Sequence, residues 1–311
     1  MPHHSPAIFL MGPTASGKTA SAIHLLESGL PVELISVDSA LVFKDMDIGS
    51  AKPNAAELAR APHHLIDIIS PTEAYSAAQF RRDALALMAD ITSRGKVPVL
   101  VGGTMLYYNT LQHGIHELPQ ADAALRVQIH EEAELIGWPA MHAKLAAIDP
   151  ITAERLKPAD AQRIERALEV CQLTGRKMSD LLAEPASGAL PYRLLKIALL
   201  PQDRQWLHQR IALRFDQMLA LGLLDEVSRL RAKYALSLEL PSMRCVGYRQ
   251  AWEYQDGLVD YPTMREKGIA ATRQLAKRQL TWMRGMDDLL EINCQENDLA
   301  ERVKAAVTGW L

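Results

Sequence analysis

The stretch Gly12-Pro13-Thr14-Ala15-Ser16-Gly17-Lys18-Thr19 decides the fold. It follows a short apolar run at residues 7–11. It opens a helical pattern at 17–28, where Ala22, Ile23 and Leu26 fall on apolar positions. The stretch fits G-x-x-x-x-G-K-[ST] in the strand-then-helix setting that gives this pattern its meaning. Glycines let backbone N–H groups converge on an anion, and the helix N-terminus adds partial positive charge. Lys18 then reaches the outer phosphates, and the Thr19 hydroxyl can ligate magnesium. Gly12, Pro13, Thr14, Ala15, Ser16, Gly17, Lys18 and Thr19 are therefore expected to cradle a pyrophosphate-type ligand. Nothing in the loop alone requires that ligand to be a nucleotide.

Outward from the loop, strand and helix patterns alternate. Residues 32–37 read as a second apolar strand, 76–94 as a helix with apolar positions near a 3.6 period, and 96–103 as a buried strand stopped by Gly102-Gly103. Such alternation implies parallel βαβ units. After about residue 118 the character changes. Residues 121–184 hold three or four helical patterns and no convincing strand, punctuated by Pro119, Pro139, Pro150 and Pro158. A strand pattern returns at 193–200, and long helices are expected at 203–221 and 263–284. The reading is an α/β core interrupted by a helical insertion.

The 311 residues, 48% apolar and 23% charged, suit a globular protein with a substantial core. No apolar run approaches the roughly 20 residues of a bilayer-spanning helix, so no membrane association is expected. The N-terminus lacks a basic region followed by a long apolar stretch, unlike a secretory signal. Cys171, Cys245 and Cys294 form no C-x-x-C pair, which argues against a zinc or disulfide framework and for a reduced, cytoplasmic protein. The net charge of −3 does not advertise nucleic-acid binding, but residues 241–285 carry eight basic side chains against four acidic ones. They are Arg244, Arg249, Arg265, Lys267, Arg273, Lys277, Arg278 and Arg284. This is either a solvated helix face or a patch for a polyanion.

Asp38 ends the second strand. Strand C-termini line the ligand crevice of a parallel sheet. The carboxylate can orient magnesium through water, act as a general base, or cap a turn. On the helix at 203–221, Arg214 lies at the edge of an apolar stripe of Leu207, Ile211, Phe215, Met218 and Leu219. A half-buried guanidinium needs an anionic or carbonyl partner, and a salt-bridging carboxylate or a pyrophosphate would serve. In the insertion, Gln162, Arg163 and Arg166 lie off a stripe of Ile164, Leu168 and Cys171. They can meet RNA phosphates or pair with Glu165 and Glu169. His63-His64 fits turn or packing roles better than a ligand pair, and Trp282 and nearby methionines fit core positions.

Several stretches together resemble the tRNA dimethylallyltransferase family, which is also called the tRNA isopentenyltransferases. They are GPTASGKT (12–19), DSALVFKDMDIGSAKP (38–53), PHHLID (62–67), VGGTMLYY (101–108), QRIERALEV (162–170), FDQMLALGLLDEV (215–227), MRCVGYRQAW (243–252) and TRQLAKRQLTWMR (272–284). They stand in family order and spacing across nearly the whole chain. The resemblance implies an α/β fold in which a P-loop NTPase-like parallel sheet core (1–117 and 193–311) carries an inserted all-helical domain (118–192) that contacts tRNA. It implies dimethylallyl pyrophosphate as donor and magnesium as cofactor. The acceptor is the exocyclic amine of the adenosine 3′ of the anticodon, within a tRNA anticodon stem-loop. By motif position Asp38 is the acceptor-side base, Thr19 the metal and phosphate ligand, and Arg214 a pyrophosphate clamp. Contacts to tRNA are implied for Asp38, Ser39, Ala40, Leu41, Thr104, Arg126, Gln162, Arg163, Ile164, Glu165, Arg166, Arg244, Cys245, Val246, Gly247, Tyr248, Arg249, Lys277 and Arg278.

The sequence departs from the family pattern in places. Leu41 stands where many members have glutamine, Phe43 where many have tyrosine, and Ser50 where threonine is common. Leu41 removes a side-chain hydrogen bond to the base and leaves a backbone route. A P-loop small-molecule or nucleotide kinase is the rival enzyme reading. A non-catalytic RNA-binding or nucleotide-switch protein is a second. Nothing in the sequence demands more than a monomer.

Overall fold

The first strand, β1 (Ser5–Met11), is buried over most of its length and runs straight into the glycine-rich loop. The computed structural model describes residues 4–186, 188 and 190–311. Beside β1 lie β2 (Val32–Val37), β3 (His63–His64), β4 (Val97–Gly102), β5 (Tyr192–Leu200) and β6 (Leu289–Asn293). Among the described residues these strands form one sheet in the order β3-β2-β4-β1-β5-β6, with every pairing parallel. From β1 the chain crosses to β2 on one side, fills the gap with β4, and then steps to β5 on the other side. All strand C-termini therefore open on one edge, where ligands of such sheets bind.

The helices that link these strands are α1 (Lys18–Glu27), α2 (Ala55–Arg60), α3 (Ala77–Ser93) and α4 (Met105–His113). A helical run follows: α5 (Ala123–Ile136), α6 (Trp138–Ile148), α7 (Pro150–Glu154), α8 (Ala161–Thr174) and α9 (Met178–Ala183). After β5 come α10 (Arg204–Ala220), α11 (Leu223–Lys233), α12 (Tyr248–Gln255) and α13 (Tyr261–Met283), and α14 (Leu299–Trp310) follows β6.

The chain divides into two units, Met1–Leu111 with Pro191–Leu311, and Gln112–Leu190. In the first, one face of the sheet packs Leu10, Leu34, Val99, Ile197 and Ile292 against α1 and α14. A second cluster gathers Phe43 and Met46 with Ile211 and Phe215 of α10, Leu223 and Val227 of α11, and Tyr248 and Ala276. Tyr108 ties α4 to the sheet, its buried hydroxyl donating to the carbonyls of Leu100 at 2.9 Å and Leu10 at 3.2 Å. The second unit has its own core of Ile129, Met141, Leu145, Ile164 and Leu168.

The sequence-based boundaries differ from the structure in places with clear physical causes. Among the described residues the insertion holds five helices rather than three or four. The additions are α7 and α9, which are too short to display a helical period. His63 and His64 are not a turn. They form the edge strand β3, paired in register with Leu34 and Ile35.

Candidate active site

The loop from Gly12 to Gly17 folds back over the end of β1. Ala15 and Gly17 both take positive φ, 64° and 90°. Glycine adopts this conformation freely, whereas alanine pays a modest strain. The ammonium of Lys18 lies inside the curve, donating to the carbonyls of Gly12 at 2.9 Å and Pro13 at 2.7 Å. Burial, then the nearby charge of Arg214, pulls the Lys18 pKa down to about 8. The Ser16 hydroxyl is 1% exposed and has no hydrogen-bond partner among the described residues. Thr19 follows on the first turn of α1 with its side chain exposed.

Asp38 stands at the end of β2, and its carboxylate accepts the Ala40 N–H at 2.8 Å. Burial raises its pKa, against the lowering effects of that bond and of the charges on Lys18 and Arg214. Thr104, just past β4, secures the same turn. Its N–H donates to the Val37 carbonyl at 3.1 Å, and its hydroxyl accepts the Ser39 N–H at 3.0 Å. The Tyr107 phenol feels the Asp38 charge, and so does the half-buried Cys245 thiol, pushed up to about 12 first by burial and then by that charge.

Arg214 of α10 completes the group. Burial lowers its pKa and Asp38 raises it. Among the described residues it has no ion-pair partner. Lys18 likewise rests on carbonyl dipoles alone. Two unneutralised cations, an unpaired hydroxyl and a loop of N–H groups around one carboxylate make a site short of negative charge. Arg210, one turn earlier on α10, packs over the Trp206 ring and donates from Nε to the Ala15 carbonyl at 3.0 Å.

The stretch 38–69 beyond Asp38 is held by buried charge. The Glu226 carboxylate of α11, 3% exposed, accepts the N–H groups of Asp47, Ile48 and Gly49 at 3.1, 2.8 and 3.1 Å, and the Tyr248 hydroxyl at 2.7 Å. Lys52 pairs with Asp47 and Asp67 and donates to the Phe43 carbonyl. Much of DMDIGSAKP is thus an anchor for the loop that carries Asp38.

The structure sorts the residues singled out for RNA. Asp38, Ser39, Ala40, Leu41 and Thr104 cluster at one turn, partly or fully exposed. Lys277 and Arg278 project from α13 and, with Arg273 and Arg284, are exposed without an ion pair among the described residues. By contrast Arg244 pairs with Glu239, Arg249 donates to the Leu238 carbonyl, Arg265 pairs with Asp216, and Lys267 pairs with Glu253. Two side chains are corrected. Tyr248 is 0% exposed and committed to Glu226, and Ile164 is 0% exposed in the core of the second unit, so neither side chain can touch RNA. Neighbouring Cys245 and Val246 are partly exposed, and Gly247 is buried. In that unit Gln162 and Arg163 are exposed, whereas Arg126 and Arg166 grip the buried Glu169 and Arg126 also reaches Glu165.

Sequence reasoning missed Arg210, Glu226 and Gln279. The last is a buried side chain of α13 bonded to the loop at Thr14. A polar residue at a buried helical position is the signal that could have found Glu226 and Gln279.

Known proteins resemble this chain in sequence and in fold. The model of a family described as IPP transferase matches residues 41–286. The tRNA dimethylallyltransferase of Methylobacillus flagellatus is 62% identical over 307 residues, covering 98% of this chain and 97% of its own. That of Dechloromonas aromatica is 60% identical over 310 residues, covering 100% and 98%. Among solved structures, the full-length tRNA isopentenylpyrophosphate transferase of Bacillus halodurans superposes with a TM-score of 0.71 at 34% identity, covering 98% of this chain and 96% of that one. A eukaryotic dimethylallyltransferase described as acting on tRNA gives a TM-score of 0.78 at 26% identity, covering 97% and 77%.

Proposed function

The chain belongs to the IPP transferase family, and from that premise we propose that it transfers a dimethylallyl group to tRNA. The donor is dimethylallyl pyrophosphate, and the acceptor is the exocyclic amine of the adenosine 3′ of the anticodon. The products are N6-isopentenyladenosine in tRNA and free pyrophosphate. The observation that carries this reading is the charge-deficient site, in which Lys18 and Arg214 lie near the single carboxylate of Asp38 and make no ion pair among the described residues.

An exocyclic amine is a weak nucleophile, because its lone pair is delocalised into the ring. An allylic pyrophosphate is a strong electrophile, because its cation is resonance-stabilised and its leaving group is a polyanion. The loop N–H groups, Lys18 and Arg214 neutralise charge that grows on the departing pyrophosphate. As the C–O bond breaks and the N–C bond forms, Asp38 takes the amine proton. Its raised pKa suits that task. The adenosine must leave its stack to reach the site, which costs little in a single-stranded loop.

Magnesium fits these residues. It binds through phosphate oxygens, waters and one or two protein groups, and the Thr19 hydroxyl at the start of α1 is such a group. When bound it supplies further positive charge to the leaving group. The exposed turn at Ser39–Leu41 with Thr104, the segment 244–249 and the basic face of α13 are assigned to the anticodon stem-loop. Gln162, Arg163 and Arg166, with Arg126, are assigned to further tRNA contacts, whereas the buried Glu165 carboxylate is committed to Arg126 and His130. Tyr248 and Ile164 serve packing. A monomer suffices for this chemistry, and the three free thiols suit the reducing cytoplasm. Among the described residues no helix is long and apolar enough to cross a membrane.

The decisive experiment incubates the protein with magnesium, unmodified tRNA and radiolabelled dimethylallyl pyrophosphate, beside an identical tube with labelled ATP. Label should enter tRNA and vanish when the target adenosine is replaced. Phosphate transfer from ATP, with no label in tRNA, would establish a kinase instead and overturn the roles of Asp38 and Arg214.

A further inference from the structure

Helix α13 buries a glutamine. Gln279 is 7% exposed, on the same helical turn as the exposed Lys277 and Arg278. Burying a side-chain amide costs free energy unless both of its ends are bonded. Here both are bonded, and to two different parts of the site. The oxygen accepts the Thr14 N–H in the phosphate loop at 2.9 Å, and the nitrogen donates to the Gly103 carbonyl past β4 at 2.9 Å. Room has been left for it, since a Cβ on Gly103 would lie 2.3 Å from the Gln279 nitrogen.

Each end leads to a reacting group. Thr14 lies in the loop that holds the donor's pyrophosphate. Gly103 precedes Thr104, whose hydroxyl secures Ser39 next to Asp38. Among the described residues, Gln279 is the side chain whose hydrogen bonds join the donor loop to the acceptor-side turn. Its bond to Thr14 also withdraws one loop N–H from the anion and fixes which way that peptide faces.

We propose that Gln279 is a positioning residue for the transfer reaction. It holds the phosphate loop at a set distance from the Asp38 turn, and links both to the helix whose outer face bears Lys277 and Arg278. This rests on the prenyl-transfer reading. Reaction rate depends steeply on the spacing of the reacting atoms, while binding of each substrate alone does not. Loss of the link should therefore fall mainly on turnover. RNA affinity should stay nearly intact, because the outer face of α13 is unchanged.

The test uses Gln279→Met, which keeps length and volume but removes both hydrogen bonds, and Gln279→Glu, which keeps an acceptor for Thr14 and loses the donor to Gly103. Turnover, KM for dimethylallyl pyrophosphate and affinity for an anticodon stem-loop RNA are measured, with affinity for inorganic pyrophosphate read by calorimetry. For Gln279→Met, kcat should fall about 10- to 100-fold, with RNA affinity within about twofold and a melting temperature near that of the parent. Wild-type kcat in Gln279→Met would overturn the proposal. So would losses of kcat, RNA affinity and melting temperature in equal measure, which would mark a purely structural residue. If Gln279→Met does not fold, Gln279→Glu decides: a fall in kcat with RNA affinity retained supports the link, and wild-type kcat refutes it. If the parent protein transfers no prenyl group to tRNA, the functional reading fails instead. The pyrophosphate titration still reports on the loop: freeing the Thr14 N–H in Gln279→Met should change the binding enthalpy, and an unchanged binding enthalpy would then sink the link as well.

Discussion

At the residue scale, the titration of the unliganded site has consequences that can be measured. Lys18, with its pKa lowered to about 8, is charged below that pH and neutral above it. A bound pyrophosphate favours the charged form, so binding near pH 8 should draw in a proton and affinity should fall as pH rises past 8. Calorimetry in buffers of different ionisation enthalpy should find uptake of up to about half a proton at pH 8. That uptake should be missing from Lys18→Met, in which only the ligand's own titration remains. Asp38 is shifted the opposite way, so its base form is reached at a higher pH than for an ordinary carboxylate. Turnover should rise with pH through that range. Asp38→Asn should lose that limb and about 10²–10⁴ in kcat, with RNA affinity in a filter assay changing by less than about twofold. A parallel collapse of RNA affinity would remove Asp38 from the role of base. Lys18 and Thr19 were legible in the sequence because a phosphate loop is local, its parts adjacent along the chain. Asp38 was legible because a strand end is easily seen. Gln279 was not, because its bond to Thr14 spans 265 residues, and a lone glutamine in a basic helix looks like a solvated one.

At the scale of elements, the loop after β2 depends on α11. The Glu226 carboxylate satisfies three consecutive N–H groups and the Tyr248 hydroxyl. An amide in its place would set a donor against donors. Glu226→Gln should cost about 2–4 kcal/mol in denaturant unfolding, and Tyr248→Phe about 1–2. A smaller loss for Glu226→Gln than for Tyr248→Phe would show that the carboxylate is not the anchor. Helices α10 and α13 meet where Gly268 admits Phe215, and a Cβ on Gly268 would lie 2.1 Å from the ring. Gly268→Ala should destabilise by about 1–3 kcal/mol, and Phe215→Leu in the same chain should recover part of that loss, because contacting residues are not additive. The strands β1, β2, β4 and β5 could be read from the sequence because each is a largely apolar run, interrupted by charge only at Glu33 in β2 and at Arg193 and Lys196 in β5. The pair β3 and β6 could not. The first is two residues long, and the second has an exposed Leu290 and Glu291 in its middle.

For the whole molecule, the net charge of −3 conceals an uneven distribution. Among the described residues, the four basic residues in the second half of α13 and its cap have no acidic partner, whereas the others in 241–285 are mostly paired. Stem-loop affinity should therefore fall with salt. Lys277→Gln with Arg278→Gln should reduce the slope of log K against log salt by about 1.4, two single-stranded phosphate contacts at roughly 0.7 each. An unchanged slope would place the RNA elsewhere. The second unit has a different lesson, since its two chain ends are pinned to each other, the Leu190 N–H donating to the Gln112 carbonyl at 3.4 Å. To the polymer that must fold, the whole unit between α4 and β5 is a closed loop. Loop-closure entropy grows only with the logarithm of length, so a loop ten times longer costs about 2 kcal/mol more. The sheet thus pays little for its passenger. A short turn could stand in the same place, and helical inserts of other sizes could be exchanged there, without redrawing the order of the strands.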